Sequence, residues 1–184
     1  MNERANDSSF VTYLIKLNED RDRGTLAALR SGLGKRAGEA PRMFPHIAKF
    51  IPVDTQGGPR VEAVFLTASL FALHRRHDGD KVKSLGDSLR LAVAGKHGET
   101  GVGDRLASAL DAHPDDLPHH VQGLVGICKS ADVPINWYAF HADVRWLLDD
   151  YEKARNNVRL RWARDFWGGP SQEAESKTKE DRES

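Results

Sequence analysis

Apolar residues recur along this chain at helical spacing, and nowhere does a strand-like alternation replace it. Ser8 or Ser9 can cap a first helix carrying Phe10, Leu14 and Leu17 on one face. Asp22 can cap a second, with Leu26, Leu29 and Leu33 inward and Gly34 as its stop. Residues 35–45 hold Gly38, Pro41 and Pro45 and read as a loop, with a short helix through Phe50. Pro52 to Pro59, with Gly57 and Gly58, is the strongest loop signal. Val61–Leu73 is apolar on most sides and reads as the buried central helix. A shorter helix spans Ser84–Ala94, and the glycine-rich stretch 95–103 reads as a mobile linker.

Beyond it, Asp104–Leu110 is helical. Asp116 and Pro118 open a helix running to about Lys129, since proline suits a first helical turn. Pro134 breaks the chain, Asn136 caps Trp137–Asp149, and the last helix is Tyr151–Trp167. The pattern predicts an all-α protein: two small packed helical bundles, residues 8–94 and 104–167, forming one compact body. Residues 168–184, polar after Gly168-Gly169-Pro170, are expected to form a disordered tail.

The last helix has the most unusual pattern. Tyr151, Ala154, Val158, Trp162 and Phe166 make one apolar stripe, and Leu160, Ala163 and Trp167 a second on nearly the opposite side. Lys153, Asn157, Arg161 and Arg164 fall together in the gap, while Arg159 lies between the two apolar faces. A helix apolar on two sides is expected to be held on two sides. Its cations are then fixed, which suits phosphates. The plainer alternative is a core helix with solvated arginines.

Length and composition narrow the class. The chain has 184 residues, 39% of them apolar, enough for one domain with a real core. No apolar run approaches the roughly 18 residues that span a bilayer, and the N-terminus carries no apolar signal segment, so a cytoplasmic protein is expected. Cys128 is the lone cysteine, which excludes an intrachain disulfide and a thiolate metal site. The 27 basic and 27 acidic residues cancel, but unevenly along the chain. Residues 35–60 carry five basic and two acidic side chains, a net +3. Residues 99–150 carry three and nine, a net −6, and residues 151–167 five and two, again +3. Such polarity suits a surface with one side for phosphate and another for a basic partner.

Catalytic and metal chemistry finds little support. Gly98 to Gly103 has the glycine frame of a phosphate-binding loop, but Asp104-Arg105 stands where Lys and Ser or Thr are needed. His74 and His77, or His119 and His120, lack the partners of a structural zinc site. The pairs Asp115-Asp116 and Asp149-Asp150 are adjacent, so on a helix they diverge. No cofactor and no metal are expected. What remains is arginine placement. Arg23 and Arg30 flank the Leu26/Leu29/Leu33 stripe, Arg36 follows, Arg60 opens the central helix, and Arg75-Arg76 close it. At that last position a helix dipole alone also favours cations, so structural and functional readings of Arg75 and Arg76 both stand.

Three segments, taken in order, resemble the CasB family, the small subunit of the type I-E CRISPR effector complex Cascade. They are Arg23-Gly24-Thr25-Leu26-Ala27-Ala28-Leu29-Arg30 with Leu33-Gly34, then Leu66-Thr67-Ala68-Ser69-Leu70-Phe71-Ala72-Leu73-His74, then Arg161-Trp162-Ala163-Arg164-Asp165-Phe166 within Val158–Trp167. The similarity is collinear over roughly residues 10–167. The family usually has an acidic-basic-basic-aromatic step after the glycine-rich region. Here Gly103-Asp104-Arg105-Leu106 keeps one basic residue and no aromatic.

The resemblance implies a non-catalytic, dimeric subunit of a guide-RNA complex in antiviral defence. It would contact other Cascade subunits and stabilise the target and displaced DNA strands of the R-loop. An R-loop exchanges one duplex for another of similar stability, so modest backbone contacts tip it. Arg23, Arg30, Arg36, Arg60, Arg105, Arg155, Arg159, Arg161 and Arg164 are the candidate phosphate clamps. The alternative is a helical protein–protein adaptor with no direct nucleic-acid contact.

Overall fold

A computed structural model describes residues 3–52, 57–94 and 99–168, with side chains from Asn6 and, in the last segment, from Gly101. Among the described residues nine α-helices follow one another: α1 (Glu3–Glu19), α2 (Arg23–Arg30), α3 (Phe44–Ile47), α4 (Pro59–Leu73), α5 (Leu85–Val93), α6 (Glu99–Asp111), α7 (Leu117–Ser130), α8 (Trp137–Leu147) and α9 (Glu152–Trp167). Two 3-10 turns, Pro41–Met43 and Ala48–Phe50, flank α3. An isolated bridge between His77 and Ile135 is the one strand-like pairing among the described residues. No helix among them is long and apolar enough to cross a membrane.

Capping follows the sequence at α2 and α8, and Ser84 adds a third cap at α5. Asp22 accepts from Thr25 N, Ser84 from Asp87 N and Asn136 from Ala139 N, each side chain satisfying a donor that has no intrahelical partner. Asp116 takes the N-cap position of α7 but makes no side-chain capping bond, and Pro118 fills the first turn.

α4 is the centre of the fold. Ala63, Ala68, Leu70, Phe71 and Ala72 are fully buried along it. It packs against α2 and α8, and α1 lies against α8. A second group forms from α5, α6, α7 and α9, with α5 against α9 as its most extensive contact. α8 therefore packs with the helices of the N-terminal half and α5 with those of the C-terminal half. α8 also meets α9, and α4 meets α7, so the two groups join into one body.

The structure departs from the expected elements at four places. α1 begins at Glu3, so Ser8 and Ser9 lie inside it. α2 ends at Arg30, and Gly34 closes the following turn with φ +72°. α6 begins at Glu99, five residues before Asp104, so Gly101 and Gly103 are helical. Gly103 is buried against α9: a Cβ there would make ordinary contacts, 3.4 Å from Trp167 Nε1 and 3.5 Å from the Phe166 ring. Lastly, α9 is held on one face. Val158, Trp162 and Phe166 are buried, whereas Leu160, Trp167 and Tyr151 remain 70%, 51% and 57% exposed. On the second face Leu160 points to solvent, Ala163 is half-buried, and Trp167 lies half-exposed against Phe166 and Gly103 of α6. The expected mobile linker lies partly, and the expected disordered tail almost wholly, outside the described residues.

Candidate nucleic-acid interface

Four helix ends converge on a groove of about 1050 Å³. α2 contributes Arg23 and Arg30, and the α1–α2 turn contributes Arg21. The segment leaving α4 adds Arg75, Arg76 and Lys81, and the end of α7 adds Lys129. Two carboxylates, Asp78 and Asp132, face these seven cations. Asp78 is used locally, accepting from Asp80 N at 3.1 Å and Lys81 N at 2.9 Å. Asp132 pairs with Arg76. The lining has no Phe, Tyr or Trp, and its rings are the imidazoles of buried His74 and half-buried His77.

The groove floor is fixed by hydrogen bonds. Arg30 donates from Nε and Nη2 to the Ala72 carbonyl, at 3.1 and 2.6 Å. His74 Nε2 lies 2.6 Å from the Val133 carbonyl and so carries the proton it donates. Burial pushes the pKa of His74 below the usual histidine value, outweighing that bond and the nearby Asp132, and keeps the ring neutral. Trp137 Nε1 donates to the Arg76 carbonyl at 3.1 Å, and Trp137 N donates to His77 Nδ1 at 3.2 Å.

Of the nine arginines singled out by sequence, Arg23 and Arg30 share this groove. Arg36 is exposed and pairs with exposed Asp115 at 3.2 Å. Arg60 is half-buried, and its charge acts on Asp7. Burial alone would raise the Asp7 pKa, but His141, Arg145 at 2.8 Å and Arg60 together hold it below the usual carboxylate range. Arg105 is exposed on α6, beside a shallow hollow lined by Ile127 of α7.

The α9 arginines separate into different roles. Arg155 is largely buried and donates to the Asp149 carbonyl at 3.1 and 2.5 Å, joining α9 to the end of α8. Arg161 pairs with the buried carboxylate of Asp143, which also accepts from Trp162 Nε1 at 2.6 Å. Burial pushes the Asp143 pKa up to about 6, against the pull of Arg161 and the Trp162 bond, and nearby Asp165 adds to the rise. Arg159 donates to Asn156 Oδ1 at 3.3 Å, while its Nε is buried without a partner. Arg164 is the most exposed of the four, with Nε 3.5 Å from Asp165. Arg155 and Arg161 thus hold the helix in place, and of the expected basic stripe Lys153, Asn157, Arg161 and Arg164, Arg161 is tied to Asp143 while Lys153, Asn157 and Arg164 are exposed.

Sequence reasoning passed over Arg21, Lys81 and Lys129, and left Arg75 and Arg76 open. They lie after α1, at the end of α7 and in the segment between α4 and α5, and these meet only after packing. One local sign was available: Arg21 stands where a helix usually stops on glycine.

A buried Thr67–His141–Asp7 line looks like a nucleophile–base–acid series, with Thr67 Oγ1 2.9 Å from His141 Nδ1. Thr67 is fully buried inside α4, so its hydroxyl meets no solvent and no substrate. The line joins α4, α8 and α1. Among the described residues no cluster of three or more His, Cys, Asp or Glu could hold a metal ion.

The family model for CRISPR-associated protein Cse2 matches residues 25–167. The chain belongs to the Cse2 family. A CRISPR-associated protein Cse2 from Thermus thermophilus is 28% identical over 155 residues, 82% of this chain and 83% of the relative. Among solved structures, a Cse2-family protein from Thermus thermophilus superposes with a TM-score of 0.73 at 23% identity, covering 89% of this chain and 98% of its own. CasB from M. ruber gives 0.71 at 21% identity, covering 94% and 97%. A chain of a CRISPR RNA-guided surveillance complex gives 0.68 at 24% identity, covering 90% and 93%. These superpositions establish a shared Cse2 fold over nearly the whole chain, as the collinear sequence resemblance implied.

Proposed function

We propose that this Cse2-family chain is a non-catalytic small subunit of a type I-E CRISPR RNA-guided surveillance complex. In that role it holds nucleic-acid backbone without reading sequence, and it stabilises the target and displaced DNA strands of the R-loop. Its partners are then the guide RNA, the target DNA, other Cascade subunits and a second copy of itself.

The observation that carries this reading is the groove, which gathers seven cations and two carboxylates with no Phe, Tyr or Trp among them. Phosphate contacts position a strand and carry no sequence information directly. A groove of this kind therefore suits a strand whose sequence is read by pairing with the guide. The neutral overall charge fits a subunit whose other faces meet protein.

One observation favours a second reading, an adaptor without nucleic-acid contact. Leu160, Trp167 and Tyr151 expose large apolar surface on or beside α9, as a protein-docking helix does.

Copurification and strand protection decide between them. The tagged chain should come down with a guide RNA and larger partner subunits. The assembled complex should shield the displaced DNA strand from a single-strand-specific nuclease. Substituting Arg23 and Arg75 by Gln should weaken that shielding while the complex still assembles. Intact shielding with both arginines replaced would favour the adaptor.

A further inference from the structure

Two turns border the basic groove, and both use the same backbone device. At the end of α1, Asp22 N donates to Leu17 O at 3.0 Å and Arg21 N to Asn18 O at 3.2 Å. At the end of α7, Val133 N donates to Cys128 O at 2.9 Å and Asp132 N to Lys129 O at 3.1 Å. Each is a Schellman closure, in which the residue just past the helix turns left-handed. Glycine suits that position best. Here the two residues are Arg21 at φ 56° and Asp132 at φ 55°, the two non-glycine residues with positive φ among those described. Both line the groove. Backbone conformations of this kind gather at functional sites, where the side chain they place is needed.

Asp132 places a carboxylate on Arg76, a residue from a different helix end. The pair is open to solvent, with the Arg76 side chain 53% and the Asp132 side chain 75% exposed. An exposed pair contributes little to folding. A guanidinium accepts a phosphate in the same forked geometry as a carboxylate. The other groove carboxylate, Asp78, is taken up in its own turn and reaches no arginine in the described contacts.

We propose that Asp132 is a built-in competitor for phosphate at Arg76. It occupies the guanidinium in the free protein and yields it to a nucleic-acid phosphate, and so sets the affinity of the groove. This rests on the reading of the groove as a backbone-binding site. Exchanging a carboxylate for a phosphate at Arg76 leaves the net pairing there unchanged. Binding by the wild type therefore shows one cation fewer in its salt dependence than the groove contains. Such a competitor disfavours single phosphates and favours a polymer that engages several cations at once.

The test is binding of the full-length protein to a labelled, mixed-sequence single-stranded DNA over a salt series. Asp132→Asn keeps the side-chain size and the tolerance for left-handed backbone while removing the charge. It should tighten binding by about two- to fivefold, the worth of an exposed ion pair, and steepen the salt slope by about one unit. In an Arg76→Gln background the same change should give a much smaller gain. Arg75→Gln should weaken binding on its own. If Arg75→Gln has no effect, or no variant binds at low salt, the groove reading fails and the competitor with it. If Arg75→Gln weakens binding but Asp132→Asn matches the wild type, or gains equally without Arg76, the competitor alone is overturned.

Discussion

The guanidinium of Arg30 grips the carbonyl of Ala72 with two hydrogen bonds, and so ties the end of α2 to the last turn of α4. That carbonyl is among the last four of its helix, which lack intrahelical partners. A family-like arginine is therefore a structural tie as well as a groove cation. Replacing it with Met should lower stability by about 1–3 kcal/mol, the range for hydrogen bonds from a charged donor, read as a fall in the urea midpoint. Lysine, with a compact ammonium in place of the fork, should recover only part of the loss.

Gly86 has the tightest helix contact of the second packing group. A Cβ added there would collide with the backbone carbonyl of Trp162, so α5 and α9 touch backbone to backbone. Gly86→Ala should force the helices apart and destabilise the protein by about 1–3 kcal/mol or more, as overpacking does. Glycine-to-alanine changes inside helices ordinarily stabilise. Gly123→Ala, which meets nothing within 4 Å, is the matched control and should raise the thermal midpoint.

Asp143 ties stability to pH. Its folded value of about 6 lies above the ordinary carboxylate value of 3.8. Between those values the folded state holds more proton than the unfolded state, so this group's contribution to stability falls as pH rises from about 4 to 6. Asp143→Asn should remove that part of the slope, measured as urea midpoints across the window. Arg161→Leu should instead leave the carboxylate buried without its cation. At pH 7 it should cost about 3–5 kcal/mol, with partial recovery toward pH 5 as the carboxyl takes up a proton.

Arg21 sets stability against function. Its left-handed backbone costs roughly 1–2 kcal/mol relative to glycine. Arg21→Gly should raise the thermal midpoint and weaken single-strand binding in the same protein. A variant that gains stability and loses nothing in binding would remove Arg21 from the interface.

The architecture was legible wherever local chemistry decides it. Asp22 and Asn136 cap helices as their positions suggest, because a cap is settled by neighbours three residues away. The burial of Val158, Trp162 and Phe166 follows from their spacing. Periodicity alone did not reveal that Leu160 and Trp167 stay exposed, since an apolar stripe shows what a face is made of and not what covers it. The glycines at 101 and 103 suggested a loop, yet both are helical, and Gly103 lies against Trp167 and Phe166. The groove was least legible. Arg23, the Arg75–Lys81 segment and Lys129 are far apart in sequence, and only the packing of α2, α4 and α7 brings them together.

The salt dependence of binding tests the central claim most directly. Wild type and an Arg23→Gln/Arg75→Gln variant would be titrated with two single-stranded DNAs of unrelated sequence. A backbone-binding groove predicts equal affinities for the two sequences, weaker binding by the variant, and a salt slope shallower by about two units. A variant with the wild-type affinity and slope, or a wild type that strongly prefers one sequence, would contradict it.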